Sequence, residues 1–599
     1  MRGRGAFRPC FICGIGLVSL SSLLAVSCGD SGRVTPPPLP TAEQSEQSSK
    51  ENTAENVTLL RDEEKEYIWD LEHHGNLLVK FGFKPMAEAL TRADRAALVQ
   101  ILGANFSGQM LGNPREIRMK SDFGEAVRLE DSGSAGIDLT ADAFIEQLLE
   151  LRRPFSQPPK ASFSLMTLSP TERGNLESEW QGTAMLRMWG ETRPSQPREV
   201  TAFLAFRVAK PVRDRLSAGH WLGSCAITQT LVANASHYLM RESAKERGID
   251  VDSLYDTWKE RAKKKNPVGA VGGVYLCDFN RDGYMDILLT DAQRFILYQG
   301  LPDGKFKDVT TAVGLPARPM TFTPSSHVAA FADLDGDGWD DLILGGQLYR
   351  NVEGKRFVQV PIQPALPIDV LDVVVADFDG DGKVDLYLLR PSEPSSGSWL
   401  SGRAGKPRPN KLWRNLGNWH FEDVTESAGG VDGGGRSTFT AIWLDANNDG
   451  RPDLYVINEF GDGILYVNQG GGKFKGQPIV GKPTDFGTMG ATAGDVDNDG
   501  NIDLYCGNMY SKAGSRVMSN LRSDAYPPEI MARMRRFVAG SQLHKNLGNL
   551  QFEQMGPKWQ ISGVGWAYAP ALVDLDNDGF LDLFATCGYV SHDRSEPDG

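Results

Sequence analysis

Cysteine is scarce in this 599-residue sequence. There are 7 cysteines, and after Cys28 only Cys225, Cys277, Cys506 and Cys587 remain. Their spacing fits neither a disulfide framework nor a zinc site. Three of the four fall on or beside predicted strands, where a free cysteine packs as a small apolar residue. We therefore expect a fold that depends on neither disulfides nor zinc.

A basic surface is also missing. The chain has 63 Lys and Arg against 77 Asp and Glu, a formal net charge of −14. No basic stripe indicates nucleic-acid binding, so we expect no nucleic-acid partner. Histidines His73, His74, His220 and His237 lie in no catalytic spacing, and we expect packed or surface roles for them. The sequence assigns no catalytic residue.

The N-terminus predicts export. Arg2, Arg4 and Arg8 precede an apolar run from Phe11 to Val26. That run is shorter than the roughly 20 residues of a membrane-spanning helix and fits a signal peptide over residues 1–27. It ends in Leu24-Ala-Val-Ser-Cys28, which resembles a bacterial lipoprotein processing site with Cys28 as the lipidated residue. The alternatives are an ordinary cleaved signal in which Cys28 is lost or free, and an uncleaved anchor.

Residues 28–56 predict a disordered tether. They hold Pro36-Pro-Pro-Leu-Pro40 and then a run of Glu, Gln and Ser with almost no apolar side chains, which cannot form a core. With lipidated Cys28, this segment would hold the folded protein at a membrane. We expect a bacterial cell-envelope location, on the periplasmic or the outer-membrane and surface face.

One nonapeptide occurs six times between residues 278 and 582. Its pattern is Asp-x-Asp/Asn-x-Asp-Gly-x-x-Asp, with glycine always at position 6. Positions 1, 3, 5 and 9 supply the candidate metal ligands: Asp278, Asn280, Asp282 and Asp286; Asp333, Asp335, Asp337 and Asp341; Asp377, Asp379, Asp381 and Asp385; Asp445, Asn447, Asp449 and Asp453; Asp495, Asp497, Asp499 and Asp503; Asp574, Asp576, Asp578 and Asp582.

These oxygens suit Ca²⁺, which prefers six to eight oxygen ligands in a flexible shell. Position 7 varies widely, as expected if its backbone carbonyl is the ligand. A helix–loop–helix calcium hand is excluded, because position 12 is never the required Glu. We expect up to six Ca²⁺ ions, with weaker binding at the two loops that have Asn280 or Asn447 at position 3. The alternative for a single loop is an acidic turn without metal.

The loops belong to a larger repeat. Apolar strands flank each loop, and a Leu-aromatic-x-Asn/Gln segment with a glycine turn follows five of them, as in Leu412 to Phe421. Each unit thus offers about four short strands, and such units arranged radially form a β-propeller. We predict a mainly β fold, with a propeller over residues 266–599 preceded by a smaller α+β domain over residues 57–260.

The repeat units resemble the FG-GAP or VCBS (integrin α-chain type) repeat. They are most similar to the propeller part of the cartilage acidic protein family and its bacterial relatives, as in Phe421-Glu-Asp-Val-Thr-Glu-Ser-Ala-Gly429 and Trp566-Ala-Tyr-Ala-Pro-Ala-Leu-Val-Asp574. The resemblance implies a calcium-stabilised propeller, commonly seven-bladed, at a cell surface. Six motif-bearing blades are visible. The sixth lacks its closing hairpin before Gly599, so either other segments complete a blade or the sequence is a fragment.

Residues 57–260 lack the repeat. We predict helices at Leu59–Phe81, Pro85–Leu102 and Thr140–Leu151, with Thr140 as a cap, and a last helix from Ala235 to Lys259. Strands are predicted in four runs between them: Ala161–Leu168, Ser178–Met188, Val200–Ala209 and Trp221–Val232.

The function that these features favour is a non-enzymatic, calcium-stabilised adhesion or binding scaffold on the cell envelope, with a protein or glycan ligand. One alternative is an envelope or secreted carbohydrate-active enzyme, a lyase or hydrolase built on the propeller face. Another places a small-molecule pocket in the N-terminal domain. Trp339, Trp413, Trp443 and Trp566 fit blade packing, and less often a sugar site.

Overall fold

The structure of the chain is a computed structural model, and it describes residues 15–17, 60–121, 123–254, 272–291, 293–319, 327–367, 369–390, 408–459, 461–480, 487–559 and 561–587. It contains two compact units. Ser243–Met509 and Gly540–Tyr589 belong to the first, and Leu59–Glu242 and Tyr510–Ala539 to the second. Among these residues no helix has the length and apolarity that crossing a membrane requires.

The predicted signal peptide, tether and lipidated Cys28 lie outside the described residues, except for one short strand. Ile15–Leu17 pairs antiparallel with Gly272–Cys277, the first strand of the repeat region.

The first unit contains successive antiparallel sheets, which we call blades 1 to 6 in chain order. Blades 1 to 5 each have four strands of their own in sequential order, and the described part of blade 6 has two. Their strands are Gly272–Cys277, Asp286–Thr290, Phe295–Gly300 and Phe306–Asp308; Ala329–Ala332, Asp341–Leu344, Gln347–Val352 and Arg356–Val360; Asp372–Ala376, Asp385–Leu389, Lys411–Gly417 and His420–Asp423; Thr438–Leu444, Asp453–Asn458, Ile464–Gly470 and Lys473–Gln477; Thr488–Gly494, Asp503–Asn508, Gln542–Asn546 and Phe552–Gln554; Ala567–Val573 and Asp582–Cys587.

Apolar layers fill the space between neighbouring sheets. In the second strand of blade 3, Leu386 and Leu388 pack in one cluster with side chains of blade 2. Tyr387 and Leu389, which point to the opposite face, pack in another cluster with side chains of blade 4. Sheets covered on both faces explain why all five residues of this strand are buried. The packing confirms the predicted fold class, a mainly β propeller with a preceding α+β region.

The second unit has an eight-stranded mixed sheet with helices packed on it. The central strands run in the order Arg115–Ser121, Gly124–Glu130, Leu222–Ala235, Gln196–Val208, Trp180–Arg193 and Lys160–Pro170, and Leu102–Met110 pairs with Leu222–Ala235 and with Ile137–Leu139. Alternate residues of Gln196–Val208, from Val200 to Val208, are buried in the core. The strand predicted at Val200–Ala209 is therefore confirmed, with one face buried.

The helices of this unit contribute the other half of its core. They are Asp62–Leu77, a π-helical turn Leu78–Phe83, Lys84–Arg92, Arg95–Ile101, Ala141–Arg152 and Arg213–Ala218. Phe83 stacks on Phe163 with a centroid distance of 5.0 Å and meets Phe206 edge-on. The Thr140 side chain accepts a hydrogen bond from the Ala143 N–H, which confirms the predicted cap.

Two helix predictions need correction. The predicted helix Pro85–Leu102 is two helices, because Ala93 is left-handed with φ of 54° and Asp94 caps a new helix through the Ala97 N–H. The predicted helix from Ala235 to Lys259 is wrong over its described part: Ala235 ends a strand, residues 236–250 are bends, turns and irregular backbone, and only Val251–Ser253 is a short 3₁₀ helix.

The second unit also includes a segment that interrupts blade 5 in the sequence. Tyr510–Ala539 holds the helices Lys512–Asn520 and Pro528–Ala539. The buried Arg516 guanidinium donates to Glu72 at 2.8 Å and to the Leu165 carbonyl at 3.1 Å. The Asn520 amide donates to the Leu168 carbonyl at 3.0 Å. The first inserted helix therefore packs on the strand Lys160–Pro170.

Candidate cation sites

Each predicted calcium loop connects the first and second strands of its blade. The last residue of the first strand pairs with the position-9 aspartate in all six blades, for example Ala332 with Asp341 and Ala376 with Asp385. The same register repeats at Cys277, Leu444, Gly494 and Val573. A common register places equivalent loop residues at equivalent positions, so the six loops form one recurring site.

The position-1 aspartate organises the turn. Its Oδ2 accepts the backbone N–H of the position-6 glycine at 2.8–3.0 Å in all six loops. These glycines have φ between 80° and 93°, a conformation that costs glycine little and other residues much. Position 4 is left-handed as well, and four of its six occupants are Asn498, Asn448, Asn577 and Arg281. The backbone of each turn therefore has two left-handed residues, at positions 4 and 6, and curves around the carboxylates.

The position-9 aspartate is held from both sides. One carboxylate oxygen accepts the N–H of position 2 at 3.0–3.1 Å in all six loops. In blades 1 to 5 the other oxygen accepts an N–H of the third strand at 2.7–2.9 Å. Asp286, Asp341, Asp385, Asp453 and Asp503 are at most 1% exposed. These five aspartates thus tie the loop to the hairpin behind it.

Burial changes the acidity of these side chains. It raises the pKa of Asp286, Asp341 and Asp385 to about 7 and of Asp453 and Asp503 to about 6. The two backbone N–H donors oppose this rise in pKa, while the neighbouring loop carboxylates add to it. A buried carboxylate beside others of the same charge is stabilised when a cation lies among them.

Four loops could hold a metal ion. Asp333, Asp335 and Asp341 each offer an oxygen, and the three oxygens lie within 4.8 Å of one another. The same holds at positions 1, 3 and 9 of blades 3, 5 and 6: Asp377, Asp379 and Asp385; Asp495, Asp497 and Asp503; Asp574, Asp576 and Asp582. A donor set made of carboxylate oxygens fits a hard divalent cation.

The other two loops have an amide at position 3. Nδ2 of Asn280 donates to Asp282 at 2.9 Å, and Nδ2 of Asn447 donates to Asp449 at 2.9 Å. Position 3 therefore donates a hydrogen bond to the position-5 carboxylate in blades 1 and 4, whereas it adds a negative charge in the other four loops.

In blades 2 to 5 a buried asparagine joins the loop to the preceding blade. In blade 4 the Asn468 amide donates to the Pro452 carbonyl of its own loop at 3.1 Å and to the Phe378 carbonyl of the blade 3 loop at 2.8 Å. The equivalent bridges are made by Asn351, Asn415 and Asn546. The sequence motif contains these asparagines, but their bridging role was missed, because the acceptor is about 80 residues away in the repeat.

Position 4 also reaches the next loop in three blades. Arg281 lies over the Trp339 ring at 5.2 Å, and Nδ2 of Asn448 donates to Asn501 at 2.9 Å. Nδ2 of Asn498 donates to the Gly579 carbonyl at 2.9 Å. Together with the buried asparagines, these contacts link successive loops into a connected row.

The other residues considered from sequence have packing or backbone partners. His74 is buried, with Nδ1 2.6 Å from the Pro211 carbonyl oxygen, and His220 Nδ1 lies 2.9 Å from the Leu102 carbonyl oxygen. Trp413 is buried and Trp443 packs between Tyr387 and Phe474. Cys225, Cys277 and Cys506 are free and buried, as expected of small apolar residues.

Comparison with known proteins supports the repeat assignment. The FG-GAP-like repeat family model matches residues 278–344 and 445–506. The chain contains FG-GAP-like repeats. These matches span blade 1 with the start of blade 2 and then blade 4 with the start of blade 5, each including complete loops.

Several curated proteins are similar. Cartilage acidic protein 1 of Mus musculus is 26% identical over 53% of this chain and 48% of its own length, and that of Homo sapiens is 22% identical over 53% and 47%. The T-cell immunomodulatory protein homolog of Plasmodium falciparum is 25% identical over 23% of this chain and 24% of its own length. The chain spans about half the length of the first two relatives.

A solved structure of an Agrocybe aegerita lectin, described for specific recognition of non-reducing terminal N-acetylglucosamine, is also similar. It is 17% identical, covers 52% of this chain and 74% of its own, and has a TM-score of 0.33. A score this low carries no argument about fold or ligand.

Proposed function

We propose that this chain is a calcium-stabilised, non-enzymatic binding scaffold of the bacterial cell envelope. The observation that carries the proposal is the recurrence of one acidic loop, in one register, at the same strand junction of six successive blades. Repetition at one position of the fold indicates a shared role in every blade, and the carboxylate donors indicate a cation.

Calcium is the ion that this donor set favours. Positions 1, 3, 5 and 9 supply carboxylate or amide oxygens, and the turn can add the position-7 carbonyl. The residues that would hold the ion in blade 3 are Asp377, Asp379, Asp381 and Asp385. When bound, Ca²⁺ supplies positive charge that compensates the buried aspartate, so binding energy becomes folding energy.

The cellular role follows from location and surface. The proposed signal peptide, the proposed lipidation of Cys28 and the predicted tether would place the propeller at a membrane outside the cytosol, where calcium is abundant. A propeller with a repeated, metal-ordered face is suited to present a rigid surface to a protein or glycan. Partner recognition is the proposed role of the propeller, and no step of bond chemistry is assigned to it.

A calcium titration tests the metal part of the proposal. We expect calorimetry of the chelator-treated chain to show saturable Ca²⁺ binding at several sites, and Asp379→Ala to remove one of them. Asp303→Ala, which removes an exposed acid outside the loops, is the control and should retain every site. Equal stoichiometry in both variants, or no binding heat in the wild type, contradicts the metal assignment.

A binding screen tests the scaffold part. Envelope extracts and a glycan array are probed with the chain in Ca²⁺ and in EDTA. We expect retention of a defined protein or glycan that requires calcium. Retention that is equal in Ca²⁺ and EDTA, or absent from both, contradicts a metal-ordered binding surface.

A further inference from the structure

The residue before the buried asparagine of the third strand differs between blades. It is Arg350 in blade 2, Arg414 in blade 3 and Lys545 in blade 5. The equivalent residue is Val467 in blade 4. In blade 1 it is Gln299, which precedes Gly300 at the position of the asparagine. Three blades thus carry a basic residue at this position and two carry a neutral one.

This difference matches the difference at loop position 3. The blades with a basic third-strand residue have Asp335, Asp379 and Asp497 at that position. The blades with a neutral one have Asn280 and Asn447. The third strand is described in five blades. In each of them an aspartate at position 3 occurs with a basic third-strand residue, and an asparagine at position 3 occurs with a neutral one. Random placement of three charges does not favour so complete a match.

The structure explains the match by direct contact. Nε of Arg350 lies 2.8 Å from Asp335, and its Nη2 lies 3.0 Å from Asp337. Nε of Arg414 lies 2.9 Å from Asp379.

Blade 5 repeats the contact with a lysine. The Lys545 ammonium contacts Asp497 and lies 3.4 Å from Asp499. Each basic side chain therefore reaches the loop of its own blade, at ligand positions 3 and 5.

The two neutral residues behave differently. The Gln299 amide donates to Asp282 at 3.1 Å, so it reaches the loop without bringing charge. Val467 is 5% exposed and packs in the core between blades 4 and 5. These blades need no counter-charge at position 3, because Asn280 and Asn447 carry none.

We propose that Arg350, Arg414 and Lys545 are resident counter-ions that compensate the position-3 aspartate and lower the calcium affinity of their loops. The proposal rests on the proposed calcium binding. Each of these loops has four carboxylates and one third-strand cation, and position 7 adds Lys383 beside Asp381 in blade 3 and Arg451 in the blade 4 loop. With these contacts counted, the loops of blades 2 and 5 carry the same net negative charge as the loop of blade 1, and the loop of blade 3 the same as that of blade 4. Four carboxylates alone would bind calcium more tightly than the three carboxylates of the loops that contain Asn280 or Asn447. The counter-ions remove this difference in affinity from the loops of blades 2, 3 and 5.

The test replaces the counter-ion by the residue of blade 1. Arg350→Gln leaves four uncompensated carboxylates, so we expect the calcium affinity of one site to rise about tenfold, the effect of one partly screened unit charge. In EDTA the same variant should melt below the wild type, because the loop repulsion is no longer compensated. Excess Ca²⁺ should restore most of that loss.

Two further variants complete the design. Arg356→Gln removes an exposed charge from the fourth strand of the same blade and should change neither the affinity nor the melting temperature in EDTA. Gln299→Arg adds the missing counter-ion to blade 1 and should weaken one calcium site. Because Gln299→Arg makes the opposite change in another blade, the proposal can still be tested if Arg350→Gln fails to fold.

The outcomes separate the two proposals. If the wild type binds calcium but Arg350→Gln and Arg356→Gln behave alike in both assays, the counter-ion role is wrong and calcium binding stands. Weaker binding by Arg350→Gln also overturns the counter-ion role, since it would make the arginine a supporting residue of the site. If no variant binds calcium, both proposals fail.

Discussion

The two units of this chain accommodate buried charge in different ways. In the helix-and-sheet unit, each buried ion has an opposite side chain: Arg516 is paired with Glu72, and Glu64 with Arg173 at 2.7 Å. In the propeller, the buried position-9 aspartates, such as Asp385, are held by backbone N–H groups with further carboxylates close by. In the helix-and-sheet unit, side chains of the protein itself compensate the buried charges. The loops of the propeller keep an excess of negative charge.

This difference has a general lesson. A charge pair inside one fold requires two residues that meet in space, and each pair is specific to its position. A loop whose excess charge is compensated by a metal ion, as we propose for this propeller, can be copied from blade to blade, because the same kind of ion would complete every copy. Repetition and metal dependence are therefore expected together, and the predictions below address that link.

Chelation should produce the largest effect. Removing Ca²⁺ with EDTA is expected to lower the melting temperature of the propeller by more than about 10 °C, since metal binding is folding energy in such loops. Hydrogen exchange of the whole chain should show lost protection in the blades and unchanged protection in the strand Gln196–Val208. Equal loss of protection in both units would contradict the comparison.

Breaking the buried ion pair should come next. Arg516→Ala leaves Glu72 without its partner and should destabilise the helix-and-sheet unit by about 3 kcal/mol. Urea unfolding followed by hydrogen exchange at the strand Lys160–Pro170 measures this. The loss should be the same in Ca²⁺ and in EDTA. Arg522→Ala, which removes an exposed partner of Asp524, is the control and should cost under about 1 kcal/mol.

The bridge between blades gives a smaller, local effect. Asn468→Ala leaves the Phe378 and Pro452 carbonyls without their donor and should cost about 2 kcal/mol. Gln469→Ala changes the adjacent exposed residue and serves as the matched control. If the two variants unfold at the same urea concentration, the asparagine does not join the blades as the geometry indicates.

The smallest effect concerns pH. Asp372 is buried at the start of the first strand of blade 3, accepts a hydrogen bond from Thr440, and has its pKa raised by burial to about 7. Between its unfolded pKa of about 3.9 and the folded value, the native state binds more protons, so stability falls as pH rises.

Asp372→Asn should remove this dependence. From pH 6 to 7.5 the wild type should lose about 1 kcal/mol more than the variant, measured by chemical unfolding in saturating Ca²⁺. Asp462→Asn, at a half-buried acid of blade 4 beside Arg436, provides the comparison. A pH profile of Asp372→Asn that parallels the wild type would assign the dependence to other groups.

Local pattern accounted for much of the architecture. The loops, the strands after them and the Thr140 cap were predicted because each depends on residues within a few positions. The strands Leu102–Met110, Arg115–Ser121 and Gly124–Glu130 were missed, since few of their residues are fully buried and their burial shows little alternation.

The amino-acid pattern alone established that acidic turns recur at strand junctions, because a turn's conformation and its candidate ligands lie within nine residues. Only the folded chain showed that Asn468 bridges to a loop 90 residues earlier and that Arg516 finds Glu72 from 444 residues away. The physical reason is that such contacts are selected by the packing of whole sheets and helices. No local preference of asparagine or arginine specifies the partner they meet.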